Sequence, residues 1–248
     1  MPISIRTVPA GHGWQWIVRA FALFRKNPLI WLVLNLILVA IGWVLGQVPV
    51  AGSYILYFLA PIFLAGIMTA CKDLETGGDI EIGNLFRGFR QNTRQLTTIG
   101  AVHLGGQLLI SAVLLGIGGP EFQEISQGGQ MADPATLSPE ARDRILLALL
   151  VSLSLYMPLA MAVWFSPGLV ILDSQQGVRA IVFSVIAGLR NILPFVVYSL
   201  ASTALFILAV IPFGIGLVLW LPVMVLTMYT SYRDVFVPTA VAARETVS

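Results

Sequence analysis

Six long apolar runs separated by short polar segments organise this 248-residue chain. They occupy 29–48, 50–71, 98–117, 145–165, 192–211 and 214–232. About 20 residues at 1.5 Å each match the hydrocarbon thickness of a bilayer. Lipid offers the backbone no hydrogen-bond partner, so such a run is expected to be helical. The alternating ten-residue segments of a membrane β-barrel are absent. The pattern predicts an all-α membrane protein with six transmembrane helices in one polytopic domain over 1–248.

Three shorter segments have a helical rather than a uniform apolar pattern. In 13–27, Trp14, Ile17, Val18, Phe21 and Phe24 recur every three or four residues, with Arg19 and Lys26 on the other side. This predicts an in-plane helix with Trp14 and Trp16 at headgroup level. In 79–96, Ile82, Leu85, Phe86 and Phe89 form one face and Arg87, Arg90, Gln91 and Arg94 another, with Asp79 and Glu81 in the first turn. The segment 175–190 is a third short helix, more apolar than the others. Residues 118–143 form the one long loop between spans, expected to be a loose outer excursion.

These segments align as a repeat. Phe24-Arg25-Lys26-Asn27-Pro28, Phe89-Arg90-Gln91-Asn92 and Leu189-Arg190-Asn191 each close a short helix and precede a pair of apolar runs. Each even-numbered run carries an internal proline: Pro61, Pro158 and Pro222. Twelve residues beyond Pro61 lies Asp73, after Lys72; twelve beyond Pro222 lies Asp234, after Arg233. The middle unit departs, because Asp173 follows Pro158 by fifteen residues. The reading is three parallel-oriented repeats, each a short interfacial helix plus a transmembrane hairpin. Asparagine at each elbow suits a left-handed turn from the membrane plane into the membrane.

Charge sharpens the topology. Hydrophobic residues make up 57% of the chain and charged residues 10%, too few to solvate a soluble globule. With both termini inside, Arg6, Arg19, Arg25, Lys26, Lys72, Arg87, Arg90, Arg94, Arg179, Arg190, Arg233 and Arg244 lie inside, and only Arg142 and Arg144 outside. That bias fixes both termini as cytoplasmic. Polar residues ahead of the first run leave no place for a cleavable leader, so the first span is expected to be the insertion signal. A net charge of +2 spread over loops points to lipid headgroups, not nucleic acid. Cys71 is the single cysteine and excludes an intrachain disulfide.

Candidate chemistry is sparse. No Asp, Glu, Lys or Arg lies within a run, which argues against proton coupling through an intramembrane carboxylate. His103, Gln107 and Ser111 form a polar stripe on the third run, lining a cavity or bonding between helices. Asn35, Ser152, Tyr156, Ser199, Ser202 and Thr203 are the other polar residues noted in the runs. Arg87, Arg90 and Arg94 are candidates for anionic-lipid contact, at roughly 1 kcal/mol each. Gly42 and Gly46 form a GxxxG that suits close helix packing, within the chain or in a homo-oligomer. No HExxH, P-loop or GxSxG is present, so catalytic residues, metal and cofactor are all expected to be none.

The opening, Arg6-Thr7-Val8-Pro9-Ala10-Gly11-His12-Gly13-Trp14 followed by Phe24-Arg25-Lys26-Asn27-Pro28, resembles an uncharacterised six-span inner-membrane protein family of proteobacteria. The resemblance covers most of the chain and implies a bacterial inner (plasma) membrane. That family has no established site residues to carry over. Two functions fit: a non-enzymatic membrane scaffold or envelope-maintenance factor, and a transporter or channel for a small or lipid-like solute.

Overall fold

The computed structural model describes residues 3–126 and 137–238. Nearly all of this is helix, as the long apolar runs require: α1 (His12–Lys26), α2 (Pro28–Gly46), α3 (Ala51–Glu75), a 3-10 helix (Ile82–Phe89), α4 (Thr93–Ser126), α5 (Pro139–Trp164), α6 (Ser166–Asp173), α7 (Gly177–Arg190), α8 (Ile192–Val210) and α9 (Leu217–Val235). Strands β1 (Ile3–Ile5) and β2 (Phe236–Pro238) pair antiparallel, Ser4 opposite Val237. The two described ends of the chain therefore meet at one end of the helical bundle. Residues 127–136 of the expected outer loop and the tail 239–248, with Arg244, lie outside the described residues.

Five described helices are long and apolar enough to cross a membrane: Pro28–Gly46, Ala51–Glu75, Thr93–Pro120, Pro139–Asp173 and Ile192–Val210. The sixth predicted run falls short for a local reason. Its helix begins at Leu217 rather than Gly214, and its last turns carry Thr227, Tyr229, Thr230, Ser231, Tyr232, Arg233 and Asp234. Most of those polar residues are buried against neighbouring helices.

The segment 79–96 differs from the single amphipathic α-helix its periodicity predicts. It forms the 3-10 helix Ile82–Phe89, breaks over Arg90–Asn92, and restarts as α4 at Thr93. Gly88 makes the tighter path workable, since a Cβ there would lie 2.3 Å from the Ile62 carbonyl oxygen. The apolar face divides accordingly. Leu85 is buried, while Ile82, Phe86 and Phe89 stay exposed. Helix α4 runs beyond the expected end at 117 and turns at Gly119 (φ 78°).

The elbows also differ from expectation. Only Asn92 is left-handed (φ 53°); Asn27 has φ −151° and Asn191 φ −118°. Asn191 works through its side chain instead. Its Oδ1 accepts from Val8 N, and its Nδ2 donates to the carbonyls of Arg6 and Ala187, fastening the N-terminal segment to α7. In α1, Trp16 is fully buried against Phe195 and Tyr198, whereas Trp14 is half exposed.

Breaks in the helices are filled by side chains from elsewhere. In a continuous helix Phe165 N would bond the Met161 carbonyl. Here the Ser184 hydroxyl of α7 takes that place, accepting from Phe165 N and donating to Met161 O. The inserted hydroxyl accounts for the α5–α6 break.

Candidate functional site

Pro61 has no N–H, so the carbonyl of Tyr57, one turn earlier in α3, loses its helical donor. His103 of α4 supplies the replacement, with Nδ1 2.8 Å from Tyr57 O. A carbonyl only accepts, so Nδ1 carries the proton in this contact. Gly100, one turn before, lets α4 approach the Phe58 carbonyl, where a Cβ would sit 2.3 Å away. The His103 end of the polar stripe is thus a bond between α3 and α4. Gln107 and Ser111 stay half-buried on the same helix. Gly42 and Gly46 have no neighbouring atoms within 4 Å of a built Cβ, so the GxxxG is not a packing seam within the described chain.

The three candidate arginines have different positions. Arg87 donates to Asp73 of α3, which also accepts from Asn84 Nδ2 at 3.1 Å. Arg87 therefore ties the 3-10 helix to α3. Arg90 and Arg94 are exposed, Arg90 directly after Phe89 in the chain and Arg94 in a groove with Gln95, Thr98, Gln176 and Val178. Phe86 and Phe89 pack edge-on against Phe63 of α3, which steadies the apolar side chains next to Arg90.

Carboxylates at the helix ends form a polar belt at the end of the bundle that holds the strand pair. Asp234 accepts from His12 Nδ1 (2.8 Å), Trp16 Nε1 (2.8 Å) and Arg19 Nη1 (3.1 Å), all on α1. Burial alone would raise its carboxyl, but these bonds outweigh burial and hold it below the usual carboxylate range. Glu75 accepts from Tyr229 Oη and forms an ion pair with Arg233 (Nε to Oε2, 3.3 Å), joining α3 to α9. Asp173 accepts from Tyr232 Oη, joining α6 to α9. Asp73 and Asp234, matched in sequence by their distance from a proline, thus have matched roles. Each holds a short helix that the chain places elsewhere.

Two open grooves flank α1. The first, about 440 Å³, is apolar and runs from Trp14, Val18 and Phe21 to Leu205, Leu219 and Trp220. The second, about 420 Å³, is lined by Arg19, Ala22, Leu23, Lys26, Glu75, Tyr229, Thr230 and Arg233. Sequence reading missed both, because each joins residues some 200 positions apart. Among the described residues, no group of three or more His, Cys, Asp and Glu is placed to hold a metal ion.

A protein of Burkholderia thailandensis, described as a probable inner membrane protein, is 32% identical over 205 residues, spanning 80% of this chain and 74% of that one. No family model and no solved structure matches.

Proposed function

We propose a function from one premise: the chain belongs to the family of that Burkholderia inner-membrane protein. It is an integral inner-membrane protein, and we read it as a non-enzymatic scaffold or envelope-maintenance factor that organises anionic lipid at the cytoplasmic face. The observation that carries this reading is the exposure of Ile82, Phe86, Phe89, Arg90 and Arg94 along residues 82–94. Apolar side chains beside unburied cations suit the boundary between acyl chains and anionic headgroups.

The finer architecture belongs to the same reading: six spans, three repeated units and both termini cytoplasmic. The β1–β2 pairing supports an even number of crossings, since an odd number would put the strands on opposite sides of the bilayer. With α8 leaving that side, α9 has to return to it. The paired roles of Asp73 and Asp234 support the repeat.

The test removes Arg90 and Arg94 together, leaving Arg87 because it also binds Asp73. In polymer-bounded native membrane discs, R90A/R94A should reduce co-purified phosphatidylglycerol and cardiolipin relative to phosphatidylethanolamine. It should also fail to restore detergent resistance to a deletion strain. Unchanged lipid enrichment together with full rescue would remove the proposal.

One observation favours a second reading, movement of a lipid-like solute. The apolar groove beside α1 is large enough to take part of an acyl chain. That reading requires protein-dependent transfer of a fluorescent fatty acid between liposome leaflets.

A further inference from the structure

The second groove beside α1 is built differently from the exposed arginines at Arg90 and Arg94. Its walls come from three elements that meet only in the fold: Arg19 and Lys26 from α1, Glu75 from the end of α3, and Tyr229, Thr230 and Arg233 from α9. Ala22 and Leu23 give it an apolar floor. Three cations face one lining carboxylate, and with Asp234 paired to Arg19 from behind, the groove keeps an excess of one positive charge.

The cations have donors to spare. Arg19 donates Nη1 to Asp234 and Nη2 to Gln15, and its side chain remains 49% exposed. Arg233 uses Nε on Glu75 and is 50% exposed, leaving its terminal nitrogens available. Lys26 is exposed and has no ion-pair partner among the described residues. Glu75 is occupied by Arg233 and Tyr229, so it holds the wall in shape while carrying little unneutralised charge. Asp234 does the same for Arg19 from behind.

We propose that this groove is a binding site for the phosphate of one anionic phospholipid headgroup, with Lys26 and Arg233 as its principal donors and Arg19 closing the side. The position favours a lipid over a free anion. The groove ends at the elbow where α1 meets the apolar helix α2, so a headgroup here has hydrocarbon directly beneath it. The inference rests on the reading that this face meets the headgroup layer, but it uses none of the residues that carry that reading.

The experiment is native mass spectrometry of the full chain, released from detergent with added phosphatidylglycerol, phosphatidylcholine or inorganic phosphate. Wild type should retain one phosphatidylglycerol in preference to phosphatidylcholine. Lys26→Glu should lower that retention about tenfold, Lys26→Arg should keep it, and R90A/R94A should leave the single tight adduct in place. Equal unfolding temperatures for the Lys26 variants would show that the fold is intact. Unchanged retention in Lys26→Glu would overturn the site. Displacement of the lipid by millimolar phosphate, or equal retention of phosphatidylcholine, would overturn the headgroup assignment. Loss of the adduct in R90A/R94A alone would transfer it to the proposed lipid-gripping surface.

Discussion

At the scale of single residues, polar groups in this chain replace backbone bonds or hold helix ends. His103 has the clearest consequence. Truncating it should strand the Tyr57 carbonyl and cost about 1–3 kcal/mol. In a Pro61→Ala background, where the backbone N–H is restored, His103→Ala should cost much less. A double-mutant cycle from unfolding in mixed micelles measures the difference, and additive losses would refute the pairing. Asp234 gives a pH dependence. Its folded-state carboxyl lies below the ordinary value, so its contribution is complete above the unfolded-state value and lost as pH falls through the folded one. Unfolding temperature should show an Asp234-dependent loss as the pH falls below about 4. Asp234→Asn should be about 2 kcal/mol less stable at neutral pH and lack that part of the acid sensitivity. His103 was visible in the sequence as one member of a stripe. Its actual partner was hidden, because the Tyr57 carbonyl is a backbone group on a different run.

At the scale of elements, tight backbone approach decides which short segments stay docked. Gly66 of α3 faces the 3-10 helix so closely that a Cβ would lie 2.4 Å from Leu85 O and 2.6 Å from Asn84 O. Neither backbone atom can swing aside. Gly66→Ala should therefore destabilise by about 1–3 kcal/mol and raise hydrogen exchange over 82–89. Gly105→Ala has open space around its Cβ and should be neutral or slightly stabilising. The long helices were legible because apolar length alone requires them. The 3-10 path was not, since its period is close to the α-helical one and the contacts selecting it, Asp73 to Asn84 and Arg87, are tertiary. The partner of Trp16 was hidden for a similar reason: Asp234, which accepts from its buried indole, lies 218 positions away.

At the scale of the molecule, closure comes from the chain ends. Strand β1 pairs with β2, α1 is bound through Asp234 of α9, and Asn191 bonds the backbone at Arg6 and Val8. The first unit is thereby joined to the last, and the proposed repeat becomes a ring rather than a row. This closure was not legible in the sequence, because strands of three residues leave no periodic signature. The most direct test of the whole account is single-cysteine labelling of intact cells in a Cys71→Ala background. A membrane-impermeant maleimide should label cysteines at Gln47 and Phe213 without permeabilisation, and at Gly77 and Gln176 only after it. Labelling of Phe213 only after permeabilisation, or of Gly77 or Gln176 in intact cells, would contradict the six-span arrangement with both termini cytoplasmic.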